Sequence, residues 1–423
     1  MRSITIIFLL LLTFSCKPTK ITTVSMYDDV AVLAHDSMMG RRVGTEYERK
    51  AAAYIAQRFS DLRLQPAGVN KFYQDFAFKR SANPHKPVEF IENGENTDDA
   101  KGMELTETAS QTVTGRNVIA FLDNQASHTV VIGAHYDHLG MGGSGSLHRG
   151  EPDIHNGADD NASGVAMMLH LAKELQQKEA PKNNNYLFIA FSGEEEGLLG
   201  SNYFVKNPTI DLRNVTYMLN MDMVGRLNEE KSLAVYGVGT APNFSEVVNA
   251  NKKDLQIIER ESGVGPSDHT SFYLSDIPVL HFFTGQHEDY HKPSDEVQTV
   301  NFEGMEIVSN YIYDIIATLD NEGKLEFQKT KNESEDAPDF KVTLGVVPDY
   351  LYDKEGMRID GVSEDRPAQH AGMQKGDIVK KMGDLEITDM MSYMKSLSKF
   401  EKGQTIIVTI ERDGEVMDLE VTF

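Results

Sequence analysis

The sequence predicts an α/β protein whose mixed, mostly parallel sheet is sandwiched by helices, followed by a small β-rich domain. Three observations predict it. Strand-like apolar runs alternate with helix-patterned ones between residues 117 and 319, the pattern of a sheet covered by helices. The chain has 423 residues, too many for one ordinary domain and comfortable for two. Over 323–339 the composition turns polar and charged, and a rhythm of short strands begins near Phe340.

The N-terminus carries Arg2, an apolar run over 4–12, then Thr13, Phe14, Ser15 and Cys16, the only cysteine of the chain. This is the pattern of an export signal, too short for a permanent span. The small residue before Cys16 resembles the lipobox at which bacterial lipoproteins are cleaved and acylated. Residues 1–16 are therefore expected to be a lipoprotein signal ending at a lipid-bearing Cys16, and 17–24 a polar tether. The mature chain is expected to be exported and held to a bacterial envelope membrane, on its periplasmic or cell-surface side, through that lipid alone. With Cys16 acylated, no thiol is left for a disulfide.

Residues 28–64 carry helical spacing in Val30, Leu33 and Ala34 and again in Ala52, Tyr54, Ile55 and Phe59. That predicts two helices around a Gly40-Arg41-Arg42-Val43-Gly44 turn. Strands are expected over 117–122, 129–134, 186–191, 215–221, 233–238 and 277–283, and helices over 162–175, 198–205, 244–253 and 302–319. These make one domain over 25–322. In the second domain, 340–423, short strands are joined by a helix near 389–400 and closed by a hairpin, 405–412 and 416–423, around Asp413-Gly414.

Lys and Arg number 41 against 65 Asp and Glu, a formal charge of −24. Such a chain repels phosphate backbones and anionic headgroups, so nucleic acid is not an expected partner.

Open α/β sheets bind their ligands beyond the carboxyl ends of the strands, and here acids and histidines follow the expected strands. His135, Tyr136 and Asp137 follow 129–134, Glu194 and Glu195 follow 186–191, and Asp222 follows 215–221. A loop after 277–283 leads to His291, and the turn Gly157-Ala158-Asp159-Asp160-Asn161-Ala162-Ser163-Gly164 opens a helix with another carboxylate. Buried together without a cation, so many carboxylates would repel one another and protonate. Two imidazoles and three carboxylates without a thiolate suit borderline divalent ions, zinc first. One bridging carboxylate and two further ligands per ion leave room for a shared water, which the ions acidify. A carboxylate that binds no metal must then move its proton, and adjacent Glu194 and Glu195 suit that division. His138 and His155 lie beside these motifs, but nearness in sequence is not ligation, and both are left outside the site. His281 and His287 are read as ordinary surface or core residues.

The segments HYDHLG, GADDNASG, SGEEEGLLGS, NMDMVG, SDHTSF and YHKPSD occur in an order and spacing that resembles the dinuclear zinc aminopeptidases over 27–320. The same fold class includes glutamate carboxypeptidases and glutaminyl cyclases, so fold alone does not settle the reaction. The resemblance implies two zinc ions per chain, with His135 and Asp222 on one, Glu195 and His291 on the other, and Asp160 bridging. It implies Glu194 as general base, Asp137 as the carboxylate that fixes the His135 tautomer from behind, and a cis peptide after Asp160. Tyr290 resembles a tyrosine that some relatives use to stabilise the oxyanion. Asp268 and His269 lie in a loop that approaches the site in relatives. The implied activity is removal of N-terminal residues from peptides, and a carboxypeptidase or dipeptidase of the same fold is the alternative.

Thr343-Leu344-Gly345-Val346, followed by Arg366 to Met373 and Gly376-Asp377-Ile378-Val379, resembles bacterial PDZ domains over 340–423. The resemblance implies that backbone N–H groups of Leu344, Gly345 and Val346 receive the carboxylate of a protein C-terminus that adds as a strand. Thr343 stands where many relatives have glycine. The other reading of this domain is one that packs on the catalytic unit and shapes access to its cleft. A function of a different class also follows: a surface-tethered binding module, with the metal domain as scaffold.

Overall fold

The computed structural model describes residues 25–80, 89–90, 111–143, 145–177, 179–331, 341–349, 351–352, 354–363 and 365–423. Cys16, the expected signal and tether, and the linker from residue 332 on lie outside the described residues.

Helix α1, Met26–Leu33, starts at a capping box made by Ser25 and Asp28, and α2, Glu46–Asp61, starts where Thr45 accepts from the Glu48 N–H. A short 3₁₀ helix, Asp36–Arg41, joins them. Arg58 Nε lies 2.6 Å from Asp29 Oδ1, and the Tyr54 hydroxyl donates to the same oxygen at 2.6 Å, so the two helices are tied by a buried ion pair.

The first sheet contains β1 (Tyr73–Arg80), β2 (Gln111–Leu122), β3 (His128–His135), β4 (Asn184–Phe191), β5 (Val215–Met221), β6 (Ser232–Tyr236), β7 (Gln256–Arg260) and β8 (Val279–Phe283). Their spatial order is β1-β2-β4-β3-β5-β8-β6-β7. The central strands β4, β3, β5 and β8 run parallel. Antiparallel pairs flank them on both sides, so the sheet is mixed, with a parallel centre.

Period-two alternation sends β3 and β4 side chains to both faces. Val130, Ile132, Tyr186 and Phe188 join one apolar cluster, and Val131, Leu187, Ile189 and Phe191 another. Helices α1, α2, α3 (Gly164–Glu174), α5 (Phe244–Asn251) and α7 (Phe302–Leu319) cover the first face, while α4 (Leu199–Lys206) and α6 (His269–Tyr273) cover the second. Helix α7 shows why the pattern folds this way. Asn301 caps it by accepting from the Gly304 N–H, and Met305, Val308, Ile312, Ile315 and Leu319 line its buried side at helical spacing. Each such side chain contributes about 1.5–3 kcal/mol on burial.

The linker expected over 323–339 begins on the first domain. Leu325 is buried in the core, the Phe327 ring stands 5.4 Å from that of Tyr273, and the Thr330 N–H donates to the Tyr273 hydroxyl at 2.9 Å. Two apolar anchors in a polar stretch therefore extend the first domain along the chain.

The second domain has its own core, including Leu344, Ile359, Val379, Met382, Val408 and Val421. Its strands β9 (Val346–Pro348), β10 (Met357–Val362), β11 (Ile378–Met382), β12 (Thr405–Arg412) and β13 (Glu415–Thr422) lie in that order, each antiparallel to the next. Helices α8 (Pro367–His370) and α9 (Met390–Leu397) complete it. Arg412 pairs with Glu415 across Asp413 and Gly414, whose φ values of 52° and 82° are those of a two-residue hairpin turn.

Candidate metal centre

Because β3, β4, β5 and β8 are parallel, the residues at their carboxyl ends meet at one rim. His135 is the last residue of β3, Glu194 and Glu195 follow β4, Asp222 follows β5, and the loop after β8 leads to His291. Asp160 lies in the tight turn Ala158–Ser163 that feeds α3, and its peptide bond to Asn161 is cis.

These groups form two halves around one carboxylate. Asp160 Oδ1 stands 3.3 Å from His135 Nε2, which is also 3.3 Å from Asp222 Oδ1. Asp160 Oδ2 stands 3.2 Å from His291 Nε2, which is also 3.2 Å from Glu195 Oε2. Ligand atoms about 2.0–2.1 Å from a tetrahedral zinc ion lie about 3.3 Å from one another. The donor set thus fits two such ions, with one Asp160 oxygen turned to each half. Each half also holds a group beyond the expected ligands. Glu194 comes within 4.8 Å of His135 and Asp222 through its ligand atom, and His138 does so with Asp160 and Glu195.

Electrostatics separate the two neighbouring glutamates. Burial pushes the Glu194 carboxyl well above the usual carboxylate range, with Asp222 and Glu195 adding to the shift against the pull of His135. Burial also opposes ionisation of Glu195, but His291 and His138 outweigh it and hold this carboxyl at about 2. A pair of carboxylates driven apart in this way divides into a proton carrier and a permanent anion.

The groups around the candidate ligands are buried or half-buried. Asp137 is fully buried and accepts from the Glu194 N–H at 3.1 Å. Its carboxylate, expected to fix the His135 tautomer, lies 3.8 Å from His135 Nδ1, beyond a hydrogen bond, and the nearer partner is the Asp137 carbonyl at 3.3 Å. The same Asp137 oxygen, Oδ1, faces both the His135 ring and the Glu194 N–H in the turn after β4. Tyr290 stacks on His291 with ring centroids 3.8 Å apart. Burial first, then Asp160, Glu195 and Glu194, keeps its phenol well above its usual pKa and therefore protonated. Asp268 and His269 are buried beside the site, and their side-chain polar atoms have no hydrogen-bond partner among the described residues.

Several contributors were not singled out from the sequence. Arg41, quoted only as part of an opening motif, is fully buried and donates to the carbonyls of Leu33, Tyr136, Asn156 and Gly157 at 2.7, 2.8, 2.5 and 3.0 Å. Burial lowers its pKa only to about 10, so it remains a cation beneath the acidic cluster. His287, read as an ordinary residue, places Nε2 3.2 Å from Asp159 Oδ2. Left outside the site from sequence, His138 donates from Nδ1 to Glu195 Oε1 at 2.6 Å. Asp295 receives the N–H groups of Asp159 and Asp160 at 3.0 Å each on one oxygen, so the His291 loop holds the backbone of the turn carrying Asp160. The only sequence signal for it is an acid closing the YHKPSD segment. Replacing Asp295 by Ala strands two buried donors and should cost about 1–3 kcal/mol of stability each way the turn is held. Zinc affinity should fall about 10- to 100-fold. Denaturant unfolding and chelator competition measure the two, and wild-type values for both would refute this role.

In the second domain, the Gly345 N–H donates to Thr343 Oγ1 at 3.0 Å, so Thr343 occupies one of the loop donors expected to receive a carboxylate. Leu344 is buried, and Val346 begins edge strand β9. Leu351 lies over Gly285, where an added Cβ would stand 2.9 Å from Leu351 Cδ1. The second domain therefore touches the loop that leads to Tyr290 and His291. No helix among the described residues is long and apolar enough to cross a membrane.

Residues 117–316 match the family described as Peptidase family M28, and residues 326–423 match the PDZ domain. The chain is 29% identical over 202 residues to a probable leucine aminopeptidase of Arthroderma otae, covering 45% of this chain and 53% of that protein. It spans about half the length of the first curated relatives it matches. Among solved structures, a zinc aminopeptidase from Bacillus subtilis superposes with a TM-score of 0.51 at 19% identity, covering 73% of this chain and 96% of the other. A glutaminyl cyclase from Bacteroides thetaiotaomicron superposes with a TM-score of 0.53 at 17% identity, covering 69% and 96%. These two likenesses concern the fold, which both reactions share.

Proposed function

We propose that this chain, whose residues 117–316 match Peptidase family M28 and whose residues 326–423 match the PDZ domain, is a zinc-dependent aminopeptidase that removes N-terminal residues from peptides. The observation that carries the reading is the pair of half-sites sharing Asp160. Two zinc ions held there by His135, Asp222, Asp160, Glu195 and His291 would supply Lewis acidity and an acidified water at neutral pH.

The chain's own residues do the rest. Glu194, anchored through its N–H to Asp137, takes a proton from the attacking water and delivers it to the leaving amine. Tyr290, half-buried against His291, keeps its phenolic hydrogen and donates it in a hydrogen bond to the developing oxyanion of the substrate. Asp160 and Asp295 keep the two halves in fixed register through the turn before α3.

The PDZ domain is read as a companion that packs beside the site and shapes access to it. That reading is favoured by Leu351 seated over Gly285 and by Thr343 occupying the Gly345 N–H. Capture of protein C-termini at Leu344, Gly345 and Val346 is the second reading. Export and lipid anchoring at Cys16 remain part of the proposal on the strength of the N-terminal sequence.

Matched peptides with free, N-acetylated and C-amidated ends, offered with and without chelator, test the activity. We expect cleavage of the free and amidated peptides, none of the acetylated one, and none with chelator. Loss on amidation alone would select a carboxypeptidase or dipeptidase instead. No cleavage of any peptide would favour the binding module.

A further inference from the structure

We propose that His138 is a positioning residue that fixes Glu195, so that the ion on the Glu195–His291 side depends on an imidazole that is not its ligand. The inference rests on the dinuclear zinc reading and adds a residue to it.

His138 is almost fully buried. Its Nδ1 lies 2.6 Å from Glu195 Oε1, while the other Glu195 oxygen faces His291 Nε2 at 3.2 Å. At 2.6 Å the His138–Glu195 separation is that of a hydrogen bond to a carboxylate, shorter than the spacing of about 3.3 Å between two ligands on one zinc ion. His138 Nδ1 also stands 3.9 Å from Asp160 Oδ2, too far for a shared tetrahedral ion. The imidazole therefore holds one oxygen of Glu195 and leaves the other for the metal. A carboxylate without this partner could rotate about its terminal torsion, which is broad for glutamate.

Packing holds the imidazole itself. Gly157 has φ 56°, and a Cβ there would meet His138 Cδ2 at 2.5 Å, so the first glycine of the GADDNASG turn gives the ring its place. The ring also meets that of His291 edge-on, with centroids 5.8 Å apart. One side chain thus touches the segments carrying Glu195, His291 and Asp160.

The test compares wild type, His138→Ala and His138→Asn. The asparagine amide nitrogen can stand where Nδ1 stands, restoring the donor. Zinc stoichiometry and affinity are read by chelator competition, and folding by circular dichroism and melting of the zinc-free chains. We expect wild type to bind two ions. In His138→Ala one ion should weaken by about 10- to 100-fold and the other stay near wild type, while His138→Asn recovers most of the loss.

Two wild-type affinities in His138→Ala would overturn the assignment. So would a folded His138→Asn no better than His138→Ala, which would make the imidazole a ligand. Should His138→Ala fail to fold, His138→Asn against wild type decides, and an affinity lowered tenfold or more in His138→Asn overturns the proposal. A wild-type chain that does not take two zinc ions would instead defeat the reading beneath it.

Discussion

On the proposed mechanism, replacing Glu194 by Gln should lower turnover by about 100- to 10,000-fold and leave the bound zinc content unchanged. The substitution keeps the shape of the side chain, and the residue's backbone remains tied to Asp137 through its N–H. What is lost is the ability to take a proton from water and return it to the leaving amine. Metal content should not fall, because Asp160, Asp222, Glu195, His135 and His291 make the short contacts that define the two half-sites. Turnover measured beside zinc analysis on the same sample separates the two effects. Retained activity with unchanged zinc would remove Glu194 from the mechanism, and loss of one ion would make it a ligand.

Replacing Asp160 by Ala should have the larger effect on metal content. Its two oxygens are 3.3 and 3.2 Å from the imidazoles of the two halves, so on the proposed bridging role truncation would remove a ligand from each ion at once. The loss should exceed the roughly 10- to 100-fold range typical of groups that act behind a ligand. After dialysis against a zinc buffer, the variant should hold well under two ions per chain and show no measurable turnover. Neither ion being weakened would contradict the bridging role.

His135, Glu194, Glu195 and Asp222 could be placed together from sequence because each stands at or just after the end of an apolar run, and parallel strands carry such residues to one rim, whereas Asp160 and His291 lie in connecting segments and were named through the motif resemblance. The helices and central strands were legible for the same reason, since buried parallel strands read as continuous apolar segments. Strands β1 and β7 were not. Tyr73-Gln74-Asp75-Phe76-Ala77-Phe78-Lys79-Arg80 and Gln256-Ile257-Ile258-Glu259-Arg260 mix charges with apolar residues because they lie toward the edges, partly exposed. The first part of the linker was hidden similarly, since Leu325 and Phe327 are isolated apolar residues in a polar stretch.

What sequence did not disclose at the site is the layer that holds the ligands. Arg41 and Asp295 act on main-chain carbonyl and N–H groups far away along the chain, which leave no trace in residue identity. His138 looks like any histidine beside a motif until Glu195 is brought within 2.6 Å of it. Asp137 adds a contact that its motif did not suggest, since the oxygen 3.8 Å from His135 Nδ1 also accepts from the Glu194 N–H.

A rim that grips a pair of ions, one on either side of Asp160, is open to direct observation. Crystals of the zinc-loaded chain, with diffraction recorded above and below the zinc absorption edge, test it directly. Two anomalous peaks about 3.5–4 Å apart are expected, one touching His135 and Asp222, the other Glu195 and His291, with an Asp160 oxygen on each. A single peak, or peaks that do not contact Asp160, would contradict it.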